Sequence, residues 1–255
     1  MLLAVDIGNT NITLGVFDGE KLRATWRMAT DVHRMADEYA SILLNLLPHE
    51  NIVPLDVKEV SMCNVVPPLT TTFIDLSQRY FKTVPLVVGA GVKTGVRIRM
   101  DNPKEVGADR IADAVAAHHL YGGPVITIDL GTTTVFGIIS KEGDYLGGVI
   151  ATGIGTAAEA LYSRTAQLPR VDLVRPKTVI GTNTITAMQS GIINGYASLV
   201  EGMLARIKKE WGEKAKVVAT GGYSTLIAKE TNAIDEANPD LTLIGLRLIY
   251  EMNKS

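Results

Sequence analysis

Two aspartates, Asp6 and Asp129, each end an apolar run that has the composition of a buried strand. An unpaired carboxylate in that position would cost on the order of several kcal/mol, which a metal ion or a hydrogen-bond network would remove. The turns that follow them, Gly8-Asn9-Thr10-Asn11 and Gly131-Thr132-Thr133-Thr134, offer close backbone approach together with hydroxyl and amide donors. These are the properties of a phosphate cradle. We therefore expect two cradles for the phosphates of a nucleotide, with carboxylates for a divalent ion. An aspartate that accepts from its own turn is the alternative.

The two acidic turns lie in a repeated segment, because residues 2–22 resemble residues 125–145. A constant offset along the chain pairs three residues of each copy: Asp6 with Asp129, Gly8 with Gly131, and Thr10 with Thr133. Each copy reads as strand, turn and strand, which predicts a β-hairpin. Chance similarity in so short a window is the alternative, and the similar succession of elements after each hairpin favours duplication.

A third candidate site is Gly107-Ala108-Asp109-Arg110, which opens a predicted helix. The Asp109 carboxylate could accept a proton from an attacking hydroxyl, while Arg110 could bind an anionic group of the substrate. Asp113 lies one turn further along the same face. The alternative is an ordinary helix start, where acidic side chains are favoured by the helix dipole.

Other glycine-rich segments carry weaker signals. The chain contains no GxxxxGK[ST] phosphate loop, and its GxGxxA, from Gly153 to Ala158, is not followed by a second βαβ strand. A glycine turn that enters a helix is therefore preferred to a dinucleotide fingerprint. At Thr220-Gly221-Gly222, a close ligand approach and an ordinary strand-to-helix turn stay equally open.

The elements that must position these residues alternate between strands and helices. Thr30 is predicted to cap a helix over 31–47, and Pro67 and Pro68 are predicted to open another. Further helices are predicted near 105–121, 155–165, 181–211, 223–229 and 241–252, with strands near 58–66, 84–88 and 215–220. This alternation predicts layered α/β domains, which we divide at 1–122 and 123–255.

Composition narrows the class of protein. The 255 residues are 46% hydrophobic and 20% charged, which excludes disorder, and the net charge of −2 does not suggest nucleic-acid binding. Cys63 is the one cysteine, which excludes a disulfide framework and suits a reducing compartment. The sequence offers neither a signal peptide nor an apolar run of membrane-spanning length. We expect a soluble cytoplasmic protein without nucleic-acid or membrane partners.

Taken in order, eight segments resemble the type III pantothenate kinase family: DIGNTN, VVPPL, DNPKEVGADR, IDLGT, GGVIATG, EALYSRTAQLPRV, GTNTITAMQSGIINGY and ATGG. The similarity covers nearly the whole chain. It implies the acetate/sugar kinase–Hsc70–actin fold, an α/β fold with two duplicated ribonuclease-H-like (actin-like ATPase) domains around a central cleft.

The resemblance also implies an activity, the ATP-dependent phosphorylation of pantothenate to 4'-phosphopantothenate in coenzyme A biosynthesis. Mg²⁺ or another divalent ion, and K⁺ or NH4⁺, are the implied cations, and the implied assembly is a homodimer. Two alternatives stay open: a kinase of the same fold for another small hydroxyl substrate, and a nucleotide-binding regulator with little catalysis. Asp109 argues against the regulator, because a binding protein has no need of a base.

Site residues follow from the resemblance position by position. It assigns ATP and phosphate binding to Asp6, Ile7, Gly8, Asn9, Thr10, Asn11, Ile12, Thr13 and Thr132. It assigns substrate binding to Met100, Gly107, Ala108, Asp109, Arg110 and Thr184. Asp109 would be the general base, Asp6 would lie near the divalent ion, and Asp129 would hold the monovalent cation. The chain has Met100, Gly137 and Thr152 where the family usually has tyrosine, an acidic residue and proline.

The long helical segment near 181–211 bears on the homodimer. Its apolar residues exceed one core-facing stripe: Ile185, Met188, Ile192, Ile193, Tyr196, Leu199, Val200 and Leu204. A helix buried on both sides within one domain would explain them equally. The resemblance favours a dimer through the second half of the chain, with Thr184 beside the partner's substrate.

Overall fold

A computed structural model describes residues 1–254 of the chain. Its strands are β1 (Leu2–Ile7), β2 (Asn11–Asp18), β3 (Lys21–Ala29), β4 (Glu59–Asn64), β5 (Leu86–Val87), β6 (Val125–Leu130), β7 (Thr133–Ile139), β8 (Tyr145–Thr152), β9 (Lys216–Thr220) and β10 (Glu236–Ala237). Its α-helices are α1 (Ala36–Leu46), α2 (Leu69–Tyr80), α3 (Ala108–Tyr121), α4 (Ile154–Ser163), α5 (Thr184–Trp211), α6 (Ser224–Ala228) and α7 (Leu241–Asn253).

Two compact units share these elements. Unit 1 consists of Met1–Val96, Asp101–Ala116 and the described residues from Leu241 onward, whereas unit 2 consists of Arg97–Met100 and Ala117–Asp240. Helix α3 therefore begins in unit 1 and ends in unit 2. The division at 1–122 and 123–255 stays a prediction.

Each unit contains a five-stranded sheet, and the two sheets have the same order. In unit 1 the order is β3-β2-β1-β4-β5, and in unit 2 the corresponding order is β8-β7-β6-β9-β10. In both, the first strand of the unit pairs antiparallel with the next strand and parallel with the strand on its other side. This shared topology confirms the duplicated hairpins and is the arrangement expected of two ribonuclease-H-like domains.

The core of unit 1 lies on both faces of its sheet. On one face Val5 and Leu14 belong to a buried cluster with Tyr39 of α1 and Phe73 of α2. On the other face a second cluster joins strand residues to α3 and α7: Ala4, Cys63, Val115, Leu246 and Ile249. Because each fully buried aliphatic or aromatic side chain contributes about 1.5–3 kcal/mol, these layers fix the end of β1 firmly.

The core of unit 2 is built mainly between its sheet and α5. Ile126 and Ile128 of β6 pack in one buried cluster with Ile193, Val200 and Leu204 of that helix. The polar residues of β6, Thr127 and Asp129, alternate with these isoleucines and therefore lie on the opposite face of the sheet. Within residues 1–254, no helix is both long enough and apolar enough to cross a bilayer.

Several sequence-based element predictions were wrong in their bounds. Helix α1 begins at Ala36. The backbone N–H of its N-cap residue, Met35, donates to Glu38 Oε2 at 2.8 Å. Thr30 is thus not its cap. Helix α3 begins at Ala108 because a 3-10 turn occupies Pro103–Glu105. Strands β3 and β8 were missed: β3 although its apolar residues alternate with polar ones from Leu22 to Met28, and β8 because two glycines interrupt its apolar residues.

Candidate active site

Asp6 lies at the carboxyl end of β1, between two neighbouring strands of the unit 1 sheet. It is half-buried, and its register partners are Thr13 on β2 and Cys63 on β4. The Cys63 thiol, which is fully buried, donates a hydrogen bond to Asp6 Oδ1 at 3.2 Å. One carboxylate oxygen of Asp6 is therefore held from the sheet side.

The carboxyl of Asp6 lies in an unfavourable environment for a negative charge. Burial, and then the nearby charge of Asp109, raise its pKa from 3.8 to about 7, while the hydrogen bond from Cys63 lowers it. Burial also raises the pKa of Cys63 above its usual range, with further contributions from Asp6, Asp109 and Asp113. The thiol therefore stays a neutral donor, and unit 1 gathers acidic side chains beside the end of β1.

The first loop (residues 8–11) joins β1 to β2 and is tied back on itself. Gly8 N donates to Asn11 O at 3.1 Å, and a Cβ at Gly8 would lie 3.0 Å from that oxygen. Thr30, which follows β3, donates from its amide to Thr10 O at 3.0 Å and from its hydroxyl to Gly8 O at 2.6 Å. The loop thus has a fixed backbone conformation.

Two of the predicted phosphate-binding residues have side chains that lie in the protein core. Ile7 and Ile12 pair across the base of the hairpin, and neither exposes any of its side chain. They anchor the first loop from the core. Asn9, Thr10 and Asn11 are exposed at the tip of the hairpin, where a ligand can reach them.

Asp109 lies in the first turn of α3, where Gly107 leaves room for it. A Cβ at Gly107 would collide with Asp109 Oδ1, and that oxygen accepts a hydrogen bond from Arg110 N at 2.8 Å. Asp109 thus has the position of an acidic residue at an ordinary helix start, as in the alternative interpretation. Its hydrogen bond from Arg110 N also fixes the carboxylate. Asp113 is buried and accepts from the Thr242 hydroxyl at 2.7 Å, so it has a structural partner of its own.

Asp129 ends β6 in unit 2, as Asp6 ends β1 in unit 1. It is half-buried, and its neighbours in space include two glycines, Gly131 and Gly221. A Cβ at Gly221 would collide with Asp129 Oδ1, and the φ of +86° at Gly221 itself favours glycine. The Thr220-Gly221-Gly222 turn therefore serves the close approach of backbone to the Asp129 carboxylate.

The second loop (residues 131–133) joins β6 to β7. Gly131 N donates to Thr133 O at 3.0 Å, while Gly153 N and the Thr156 hydroxyl donate to Thr132 O at 3.1 and 2.8 Å. Both of the latter residues belong to the GxGxxA segment, in which Gly153 precedes α4. The interpretation of this segment as a glycine turn entering a helix is confirmed, and the turn supports the second loop.

The other predicted site residues have these positions: Arg110 is half-buried in α3, Met100 is half-buried in the Arg97–Met100 segment of unit 2, and Thr184 is exposed as the first residue of α5. Among residues 1–254, no three or more His, Cys, Asp or Glu side chains are grouped as a metal site. Mg²⁺ is commonly held by one or two carboxylates together with substrate phosphates, so the Asp6 carboxylate could supply the protein ligand.

Sequence reasoning missed Cys63, Thr30 and Thr156 as neighbours of the candidate site. For Thr30 a signal existed, because the offset that pairs Asp6 with Asp129 also pairs Thr30 with Gly153, and both donate to a loop carbonyl. No comparable signal marks Cys63, which reaches Asp6 only through the pairing of β1 with β4.

Comparison with known proteins identifies the family. Residues 2–206 match the family model described as type III pantothenate kinase. A type III pantothenate kinase from Dehalococcoides mccartyi (strain ATCC BAA-2266 / KCTC 15142 / 195) is 56% identical over 254 residues, which cover 100% of this chain and 98% of that protein.

Solved structures of distant proteins share the fold. The activator of the 2-hydroxyisocaproyl-CoA dehydratase from Clostridium difficile, solved with bound ADPNP, has a TM-score of 0.57 at 12% identity, with 99% of this chain and 96% of that chain covered. The inorganic polyphosphate/ATP-glucomannokinase from Arthrobacter sp. strain KM has a TM-score of 0.51 at 14% identity, with 99% of each chain covered.

Proposed function

This chain belongs to the type III pantothenate kinase family, and we propose how its residues carry out the reaction. The enzyme transfers a phosphoryl group from ATP to pantothenate in coenzyme A biosynthesis. In such a transfer the protein contributes mainly positioning and charge stabilisation. The proposed role of each residue therefore rests on its position and its charge.

Asp109 is the general base of this proposal. The observation behind this role is that the Asp109 carboxylate, fixed at the start of α3, lies near that of Asp6, where its charge raises the pKa of Asp6. The amide of Arg110 fixes one oxygen of Asp109. The carboxylate would accept the proton of the pantothenate hydroxyl as that oxygen bonds to the γ-phosphorus and the bond from phosphorus to ADP breaks.

The phosphates of ATP are assigned to the first loop and to Thr132 of the second. Backbone amides at glycine-containing turns are suited to phosphate oxygens. Asp6 would hold Mg²⁺ or another divalent ion, which neutralises charge on the phosphates. A cation beside Asp6 also fits its environment, because burial and Asp109 both disfavour an uncompensated negative charge there.

The remaining assignments concern the substrate and the second cation. Arg110 would bind the carboxylate of pantothenate, since a guanidinium can form paired hydrogen bonds with it. Met100, Gly107, Ala108 and Thr184 would contact the rest of the substrate. Asp129 would hold K⁺ or NH4⁺. The close approach of the Gly221 backbone to the Asp129 carboxylate supports this assignment.

We further propose a homodimer that forms through unit 2. Most of the apolar residues of α5 are buried within unit 2 itself, which explains them without a partner: Met188, Ile192, Ile193, Tyr196, Val200 and Leu204. The support comes instead from the start of α5. Val179 and Ile180, which precede the helix, and Ile185 in its first turn are 72%, 82% and 51% exposed. We also propose a cytoplasmic location, since the one cysteine suits a reducing compartment.

The test of the proposed function is the Asp109→Asn variant in an ATP and pantothenate assay. Asparagine keeps the acceptor for Arg110 N but is not basic, so we expect turnover to fall about 100-fold or more with ATP affinity nearly unchanged. The same assay with and without potassium tests Asp129→Asn, which we expect to lose its activation by potassium.

Asp75→Asn, at an exposed position on α2, is the matched control and should keep full activity. Turnover of Asp109→Asn within a few-fold of the unmodified enzyme would remove Asp109 from the role of base. Unchanged potassium activation in Asp129→Asn would remove the second cation from Asp129.

A further inference from the structure

We propose that Thr30 and Thr156 are positioning residues for ATP, each of which holds one phosphate loop through a loop carbonyl without touching the nucleotide. The inference rests on the proposed function, because it takes the first and second loops to be phosphate-binding. It adds two residues to which neither the family resemblance nor the comparisons assign a role.

In unit 1 a single residue binds two carbonyls of the first loop. The Thr30 hydroxyl donates to Gly8 O at 2.6 Å, and its amide donates to Thr10 O at 3.0 Å. Thr30 is half-buried and follows directly on β3, whose pairing with β2 reaches Asn11 opposite Ala29. The rigid edge of the sheet therefore carries the donors that hold the tip of the neighbouring hairpin.

In unit 2 the second loop is held in a similar way by different residues. The Thr156 hydroxyl donates to Thr132 O at 2.8 Å, and Gly153 N donates to the same oxygen at 3.1 Å. Gly153 follows directly on β8, as Thr30 follows on β3, and Thr156 lies in the first turn of α4. A Cβ at Gly153 would collide with the carbonyls of Gly131 and Thr132, so the approach is close.

These contacts would favour phosphate binding by controlling the direction of the loop carbonyls. A loop binds phosphate through its N–H groups, whereas a carbonyl oxygen turned toward the phosphate would repel it. A hydrogen-bond donor on the far side of the loop holds the carbonyl away and keeps the peptide from flipping. The two hydroxyls come from positions that the internal repeat does not relate, yet each binds a carbonyl of its loop. The recurrence argues for a shared requirement of the two loops.

The experiment measures the affinity for magnesium–ATP by calorimetry in Thr30→Val, Thr30→Ser and Thr156→Val. Valine has the shape of threonine without the hydroxyl, and serine keeps the hydroxyl. We expect each valine variant to bind ATP about 2- to 10-fold more weakly, the scale of one lost hydrogen bond. Thr30→Ser should bind within about twofold of the unmodified protein. In the kinase assay KM for ATP should rise while KM for pantothenate and kcat stay nearly constant.

Two further variants separate the possible outcomes. Thr25→Val changes an exposed residue of β3 that is not in the first loop, and it should bind ATP normally. Gly8→Val obstructs the first loop directly. Normal binding by Thr30→Val with weakened binding by Gly8→Val would overturn the inference and leave the proposed loop intact. Normal binding by both would overturn the inference together with the phosphate role of the loop. Equal weakening by Thr25→Val and Thr30→Val would also overturn the inference, since general destabilisation would then explain it.

Discussion

At the residue scale Asp6 combines a strand position, which partly buries its carboxyl, with the proposed role of holding a divalent ion. Its neighbours in unit 1 include the thiol of Cys63, which stabilises the carboxylate, and the charge of Asp109, which opposes it. The balance leaves the pKa near 7 in the absence of a cation. A divalent ion bound to this carboxyl, as proposed above, would shift the balance towards the ionised form.

The stability of the metal-free protein should therefore depend on the ionisation of Asp6. Because folding raises the pKa of Asp6 from 3.8 to about 7, its contribution to stability is full below about pH 4 and is lost as the pH rises through 7. Asp6→Asn lacks this contribution. We expect the stability of the variant relative to the unmodified protein to rise by roughly 1–3 kcal/mol between pH 5 and pH 8.

Urea unfolding in EDTA at the two pH values measures this difference. Asparagine keeps an oxygen that can accept from the Cys63 thiol, so the substitution changes mainly the charge. The exposed Asp75→Asn variant should show the same pH dependence as the unmodified protein. If Asp6→Asn also follows the unmodified protein at both pH values, the carboxyl of Asp6 does not titrate in this range.

At the element scale the close approach of α7 to α3 secures the start of the helix that carries Asp109. Gly245 of α7 lies against Ala112 of α3, and a Cβ at Gly245 would collide with the Ala112 carbonyl. Thr242 of α7 donates to Asp113 within the same contact. The helix that presents the proposed base is therefore held by a helix from the far end of the chain.

Replacing Gly245 with alanine should destabilise the protein by roughly 1–3 kcal/mol, because backbone atoms of α3 must move to admit the new methyl group. Gly191→Ala on α5 is the matched control. Nothing lies within 4 Å of a Cβ at Gly191, so helix propensity should stabilise that variant by about 0.5–1 kcal/mol. Thermal unfolding of both variants measures the effects. Equal stabilisation of the two would show that the helices separate without cost.

At the scale of the whole molecule we expect two copies of the chain to associate. The exposed apolar side chains at the start of α5 are the proposed contact, and burying a charge there would be costly. We expect the unmodified protein to sediment at micromolar concentration as twice the 27.4 kDa chain, and Ile180→Asp to sediment as single chains. Leu55→Asp, which changes a 76% exposed residue of unit 1, should stay dimeric. A single 27.4 kDa species for the unmodified protein would contradict the homodimer.

Features that depend on neighbouring residues along the chain could be predicted from the amino-acid sequence. Alternation of apolar and turn residues predicted both hairpins, and the repeated aspartates marked the ends of β1 and β6. The apolar pattern also predicted α5 and α7 to within a few residues. Local backbone preference and the burial pattern of a single element are enough for such predictions. Edge strand β3 alternates apolar with polar residues from Leu22 to Met28, a pattern that indicates a half-buried strand and was overlooked. Edge strand β8 has two glycines near its centre and shows no such alternation.

Contacts between residues far apart in the chain could be identified only in the folded structure. Cys63 contacts Asp6 from 57 positions away because β4 pairs in parallel with β1. Thr30 reaches Gly8 because β3 lies beside β2, and α7 returns to unit 1 to contact α3. Such contacts arise from the joint packing of elements separated by long stretches of chain, and no local pattern specifies which partner wins. The sequence thus identified the residues of the two loops, whereas the supports that hold those loops and the acidic residues beside them required the folded chain.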